Sequence, residues 1–130
     1  MRATGLHHLA LTVTDADRSA EWYAALLGEA AVVERTGDGW RRLRLQWPSG
    51  LVLGLTEHVA TDPQDAFDHQ RVGLDHFGIT CPSEQDIRDW SDHMDRSGIA
   101  HGPVEDVPYG WAVTARDPDS IAVEFFCPKP

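Results

Sequence analysis

Apolar and polar residues alternate along Leu6–Val13. Leu9, Leu11 and Val13 fall on one side and His8, Ala10 and Thr12 on the other, the period-two pattern of a strand with one buried face. After Asp15 the period lengthens. Trp22, Leu26 and the set Ala20, Ala24 and Leu27 recur at spacings of three and four, which predicts a helix over 16–27 covering a sheet with one apolar face. Asp15 is placed to cap that helix and Gly28 to stop it. Strand-like runs follow near 30–36, 40–47 and 51–57, separated by the turn dipeptides Asp38-Gly39 and Ser49-Gly50, so antiparallel neighbours joined by short loops are expected. The first half therefore reads β-α-β-β-β.

The order then repeats. Gly5-Leu6-His7-His8-Leu9-Ala10-Leu11-Thr12-Val13 is echoed 68 positions later by Gly73-Leu74-Asp75-His76-Phe77-Gly78-Ile79-Thr80-Cys81, and the same offset sets Trp22 on Trp90. Near the end of each half, Pro48-Ser49-Gly50-Leu51-Val52-Leu53-Gly54-Leu55 matches Pro118-Asp119-Ser120-Ile121-Ala122-Val123-Glu124-Phe125 at an offset of 70. Self-similarity of this kind marks a duplicated supersecondary unit. The second half reads as a strand over 74–81, a helix over about 83–97 with Ser83 as cap and Gly98 as stop, and strands near 104–107, 111–116 and 121–127. At 130 residues the chain is read as a single domain. Module 1 covers about 5–57, a polar linker about 58–73, and module 2 about 74–127.

Charge removes several function classes. With 21 acidic against 11 basic residues and a net charge of -10, the long-range field repels phosphate backbones and anionic lipid, so neither nucleic acid nor membrane is an expected partner. No apolar run approaches the roughly 18 residues of a membrane span, and Met1-Arg2-Ala3-Thr4 leads straight into a strand-like segment without a signal-peptide core. The expectation is a soluble, cytoplasmic protein. Cys81 and Cys127 are the two cysteines, neither in a CxxC pair, and are expected as reduced thiols. Lys129 is the one lysine and lies beside the C-terminus, which makes a Schiff-base mechanism a poor fit.

Strand parity carries the chemistry. His8 shares its side with Ala10 and Thr12, His76 with Gly78 and Thr80, and Glu124 with Ala122 and Phe126, each on the face opposite the apolar residues. A lone strand histidine is more often structural than a ligand; what singles out these two is that the repeat relates them and that a carboxylate stands on a repeat-equivalent strand. If the halves pack with approximate two-fold symmetry, His8, His76 and Glu124 converge as a metal site. Two neutral imidazoles and one carboxylate suit Fe(II), Mn(II), Zn(II), Ni(II) or Co(II), with positions open for water or substrate. His7, His58, His69 and His93 have no such partner. His101 precedes a Gly-Pro turn near the outer strands and is the remaining histidine expected to approach the pocket.

These stretches, with Trp22-Tyr23-Ala24-Ala25-Leu26-Leu27-Gly28 and Asp117-Pro118-Asp119-Ser120-Ile121-Ala122-Val123-Glu124-Phe125-Phe126, resemble the vicinal oxygen chelate superfamily of glyoxalases, bleomycin-resistance proteins and extradiol dioxygenases. The resemblance covers nearly the whole chain. It implies an α+β glyoxalase-like fold of two βαβββ modules forming a cupped, pseudo-two-fold mixed sheet around a divalent metal that chelates neighbouring oxygens of a small-molecule substrate. His8, His76 and Glu124 match three of the family's metal-ligand places. The fourth, a carboxylate in glyoxalase I proteins, is Gly54 here, which argues against a glyoxalase I and leaves the three-ligand members, fosfomycin-type thiol transferases and ring-cleaving dioxygenases. The acidic charge is a poor match for a phosphonate pocket, so dioxygenase-like chemistry with Fe(II) is the first choice, and lyase/isomerase chemistry is the expectation for nickel, cobalt or zinc. Tyr109 and His101 are the available acid-base groups. Trp47, Trp111, Phe126 and Tyr109 would wall the substrate pocket, plain packing being the competing and slightly favoured reading of Trp47 and Trp111, with Arg116, and Arg42 or Arg44, as its candidate cations. A homodimer is expected, sometimes formed in such proteins by exchange of modules. The alternative from another class is a metal-free protein that sequesters a drug or metabolite, as bleomycin-resistance proteins do.

Overall fold

A computed structural model describes residues 1–130, which fall into two compact units, Met1–Asp65 and Ala66–Pro130. The first contains β1 (Leu9–Thr12), α1 (Ala16–Leu27), β2 (Ala31–Gly37), β3 (Trp40–Gln46) and β4 (Val52–His58). The strand order is β1-β4-β3-β2. The chain's first strand thus runs parallel to β4, with Ala10 opposite Gly54, while β2, β3 and β4 form an antiparallel meander. Leu11, Leu43, Leu45, Leu53 and Leu55 lie on one face and are buried. That is the face α1 covers.

The helix uses a different stripe from the one expected. Its buried residues are Ala16, Ser19, Tyr23 and Leu26, so Tyr23 rather than Trp22 points at the sheet. Trp22 sits at the margin with its ring edge-on to Tyr23 at 4.9 Å. Both residues satisfy an apolar spacing of three and four, and the stripe that packs is the one that runs through Ala16, Ser19, Tyr23 and Leu26. The Asp15 side chain accepts from the Arg18 backbone N–H and fixes where the first turn begins. Arg41 then fastens this end to the sheet. Its guanidinium takes Asp17 of α1 in a two-point grip at 2.9 Å and reaches Glu34 of β2 at 2.7 Å, while Glu57 of β4 accepts from the Ala16 N–H at 2.8 Å.

The second unit contains β5 (Phe77–Thr80), α2 (Glu84–Ser97), β6 (Glu105–Val107), β7 (Gly110–Arg116) and β8 (Ala122–Pro128), in the sheet order β5-β8-β7-β6. Ser83 caps α2 and Gly98 ends it. Ile87 and Met94 are buried beneath it, and Trp90 stacks on Phe125 at 4.1 Å. Part of the polar stretch between the repeats belongs to this unit, since the Phe67 N–H donates to the Asp119 carbonyl at 2.8 Å.

Both leading strands are shorter than the alternation suggests. They begin at Leu9 and Phe77 rather than near 6 and 74, because their parallel partners begin only at Val52 and Ala122. Residues before those points run past the turn that feeds the partner strand and find no ladder there. His8 and His76 therefore sit just ahead of their strands.

The two equivalent turns are built differently. Gly50 takes a φ of 92° in the first, and Ser120 takes 69° in the second, a left-handed conformation that costs an L-residue about 1 kcal/mol. Asp117 holds Ser120 there: its buried carboxylate accepts from the N–H groups of Asp119 and Ile121, both at 2.9 Å. Ser120→Gly is expected to stabilise the fold by about 0.5–1 kcal/mol. Asp117→Ala, which strands two buried donors, should cost about 1–3 kcal/mol. Urea midpoints at unchanged slope measure both.

Cys81 and Cys127 are free thiols, both buried. Burial pushes the Cys81 thiol up to about 11, so almost none of it is thiolate at neutral pH. In the folded protein at pH 8, Cys81 should resist a thiol-specific disulfide reagent and react promptly once denaturant is added. Cys81→Ala provides the assignment.

Candidate metal site

Of the residues expected to ligate, His8 and His76 lie just ahead of β1 and β5, and Glu124 lies near the start of β8. In the second unit Gly78 is opposite Glu124 and Thr80 opposite Phe126. Thr114 flanks Glu124 on the other side, followed by Ala112 opposite Phe126 and Arg116 opposite Ala122. Registered residues share a face, so Gly78, Glu124, Phe126, Thr114 and Arg116 stand together on the side away from α2. Val123 and Phe125, fully buried, face the helix.

On that open face His76 Nε2 lies 3.9 Å from Glu124 Oε1. The separation is too long for a hydrogen bond. Two donors at about 2.1 Å from one ion lie roughly 3–3.5 Å apart, so a small side-chain adjustment lets this pair share a cation. The other imidazole nitrogen is occupied, because Asp75 Oδ1 lies 2.6 Å from His76 Nδ1. This bond to His76 holds the Asp75 carboxyl below the usual carboxylate range, and an ionised carboxylate only accepts, so Nδ1 donates. Nε2 is then the nitrogen presented to Glu124. A carboxylate behind a histidine in this way fixes ring orientation and raises ligand basicity at metal sites. Gly78 lies directly beside the carboxylate: a Cβ there would stand 3.5 Å from Glu124 Oε1, an ordinary contact distance.

The first unit offers one imidazole at the equivalent place. His8 precedes β1, and its Nδ1 lies 3.0 Å from His7 Nδ1, which leaves Nε2 unengaged. Its strand continues with Ala10 opposite Gly54, and Gly54 in turn opposite Arg44, the same pairings that hold Glu124 between Gly78 and Thr114. The stem of Arg42 covers this glycine, its Cδ 3.3 Å from where a Cβ would be. Neither unit by itself gathers three His, Cys, Asp or Glu side chains that could hold an ion.

The other candidate residues divide between the faces. Phe126 and Arg116 share the face of Glu124, Phe126 with its ring over Gly110 and Arg116 donating to the Ser120 carbonyl at 3.0 Å. Tyr109 is 70% exposed in the turn between β6 and β7, with its ring 6.1 Å from that of Phe126. The remaining three are on the helix sides. Trp47 is buried among the leucines and donates from Nε1 to the Gly28 carbonyl at 2.9 Å. Trp111 is opposite Asp106 and Cys127, the parity opposite to Glu124, and has the Lys129 ammonium 4.8 Å from its ring centroid. His101 pairs with Ala115, also of the helix-side parity, and its ring nitrogens face Gly102 O at 2.6 Å and Asp95 Oδ1 of α2 at 3.2 Å. Packing and capping account for these three. Sequence reasoning missed Asp75, although its position directly before His76 was the available signal.

A cavity of about 600 Å³ in the first unit is lined by Thr14, Asp17, Trp40, Arg41, Glu57 and His58 among others. None of the candidate ligands lines it, and the Arg41 ion pairs account for its polar wall.

Comparison with known proteins agrees with the fold. The Glyoxalase/Bleomycin resistance protein/Dioxygenase superfamily matches residues 5–125, and the chain belongs to it. A glyoxylase/bleomycin resistance protein/dioxygenase domain from Frankia sp. EAN1pec is 33% identical, with a TM-score of 0.89 over 98% of this chain and all (100%) of that one. The fosfomycin resistance protein FosX from Listeria monocytogenes, solved with Mn(II) and sulfate ion, is 15% identical at a TM-score of 0.69, over 97% of this chain and 93% of that one. A lactoylglutathione lyase from Agrobacterium tumefaciens is 18% identical at a TM-score of 0.74, over 98% and 96% of the two chains. No functionally curated protein matches by sequence. No helix is long and apolar enough to cross a membrane.

Proposed function

We propose that this chain is a divalent-metal-dependent vicinal oxygen chelate enzyme, with His8, His76 and Glu124 as protein ligands and a small oxygen-rich molecule as substrate. The observation that carries the reading is the His76–Glu124 pair, 3.9 Å apart on an open face with Asp75 behind the imidazole. His8, from the repeat-equivalent position, supplies the third ligand, either from the same chain or from a second copy in a homodimer. The family's metal-containing member FosX, with Mn(II), supports a divalent ion, and the two-imidazole, one-carboxylate set accepts Fe(II), Mn(II), Ni(II), Co(II) or Zn(II).

When bound, such an ion acts as a Lewis acid toward two neighbouring substrate oxygens and stabilises an oxyanionic form. The chain's own residues do the rest. Asp75 keeps His76 Nε2 aimed outward, Glu124 contributes the negative charge, and Phe126 gives the face an apolar wall beside Arg116. Tyr109, exposed and near Phe126, is the group we assign to proton transfer at this face. His101 is held by α2 and is not assigned a catalytic part. Gly54, with no ligating atom where glyoxalase I proteins carry a carboxylate, favours a three-ligand site and dioxygenase-like chemistry, with lyase/isomerase chemistry as the alternative if the ion is Ni(II), Co(II) or Zn(II).

Protein purified without a metal-affinity tag and reconstituted anaerobically with each metal is expected to hold about one ion per chain. Glu124→Ala should lose that ion. Asp75→Ala, which leaves all three ligands in place, should weaken binding about 10–100-fold with an unchanged circular dichroism spectrum. Wild-type protein that takes up none of these metals, or a Glu124→Ala variant that binds as well as wild type, would refute the reading and leave a metal-free binding protein. Oxygen uptake against catechols and hydroxyketones then separates dioxygenase from isomerase or lyase chemistry.

A further inference from the structure

On the face of the first sheet turned away from α1, cross-strand pairing sets Arg35 opposite Arg42 and Val33 opposite Arg44, and continues Arg42 to Thr56 and Arg44 to Gly54. Three guanidinium groups share that face, in a chain where acidic residues outnumber basic ones 21 to 11. Carboxylates are taken up by other cations: Asp17 and Glu34 by Arg41, Asp68 by Arg71, Glu84 by Arg88, Asp106 by Lys129. Arg35, Arg42 and Arg44 form no ion pair with any of them. Like charges directly opposed across strands are destabilising, so the grouping calls for a counter-charge from outside the chain.

Arg42 is positioned to receive one. Its Nε donates to the hydroxyl of buried Thr56 at 2.7 Å, and its guanidinium carbon lies 5.2 Å from the Trp40 ring centroid. Those contacts hold the plane of the group while its two terminal nitrogens keep all their donors. Arg44 is steadied by Gln46 Oε1, 3.1 Å from Nη1. Gly54 and Ala10 lie side by side beneath, and the absence of a side chain at Gly54 lets the Arg42 stem lie flat on the sheet, its Cδ 3.3 Å from where a Cβ would be. The second sheet is the counter-example: at the positions equivalent to Arg42, Arg44 and Gly54 it carries Ala112, Thr114 and Glu124. The repeat has kept its register while the charged positions differ: two bases in the first sheet are replaced by Ala112 and Thr114, and the acid of the second stands where the first has a glycine.

We infer that this face binds the carboxylate of a small organic anion, gripped by the free fork of Arg42 and flanked by Arg44 and Arg35. A planar guanidinium matches a carboxylate at two points. The net charge of -10 works against polyanions and multiply charged phosphates by long-range repulsion, which favours a singly charged group. That the bound anion is the substrate rests on the proposed function; that the face binds a carboxylate does not, and needs no metal.

The test uses metal-stripped protein, passed over a chelating resin, labelled with nitrogen-15 and titrated with sodium acetate or sodium phosphate at constant ionic strength set by sodium chloride. Acetate should shift the backbone resonances of Gly54 and Thr56 saturably. Arg42→Gln should weaken that binding about tenfold or more, Arg44→Gln should weaken it as well, and Arg96→Gln, at the end of α2, should leave it unchanged. Absence of a saturable shift, or full binding in both Arg42→Gln and Arg44→Gln, would overturn the site. Tighter binding of phosphate than of acetate would overturn the carboxylate assignment. None of these outcomes depends on whether the protein takes up a metal, so this inference and the metal-site reading fail separately.

Discussion

Everything at the candidate site depends on the parallel pairing of the first and last strands within each βαβββ unit. Three of the four strands form a meander that short turns alone could produce. The remaining strand is brought in by the helix, and it pairs in register with the strand most distant in sequence: Ala10 with Gly54, Gly78 with Glu124. A one-residue slip would turn Glu124 into the buried layer beneath α2 and Val123 out of it. Because Val123 and Phe125 are fully buried, that slip would place a carboxylate in an apolar core, so the core's packing is also what aims the ligand.

Each sheet therefore has one face spent on stability and one left free. On the helix side of the first unit the leucines of β3 and β4 meet Tyr23 and Leu26; on that of the second, Trp90 meets Phe125. The other faces carry residues that a core would not accept: His76 and Glu124 in one, Arg42 and Arg44 in the other. Small residues stand among them: Ala10 and Gly78 are exposed, while Gly54 and Ala112 are covered by their neighbours.

Much of this was visible in the sequence. Alternation and repeat identified both modules and both helix caps, and placed Glu124 on the face away from the helix, because period and capping are local properties written in adjacent residues. Three things were not. The helix stripe through Tyr23 was hidden by Trp22, since both fit a three-and-four spacing and only the packing against the sheet separates them. Trp47, Trp111 and His101 looked like pocket residues by type, but parity and partners put them on the helix sides: Trp47 against the Gly28 carbonyl, His101 against Asp95. The starts of β1 and β5 were overrun because alternation continues past the point where a partner strand exists.

The arginine face shows where single-residue reading runs out. Arg42 and Arg44 stand out in Arg41-Arg42-Leu43-Arg44 as candidate cations, yet neighbours in sequence have opposite fates there. Arg41 turns to the helix side and is consumed by Asp17 and Glu34, while Arg42, one residue on, emerges on the open face with Thr56 as its anchor. Arg35 joins it only through the β2–β3 register, which no motif announces. Charge balance over the whole chain says that acid is in surplus; only the strand pairing reveals that three bases have been set where that surplus does not reach them. An acidic protein can thus present a locally cationic surface without altering its net field, so long-range repulsion of polyanions and short-range capture of a small carboxylate are compatible in one molecule.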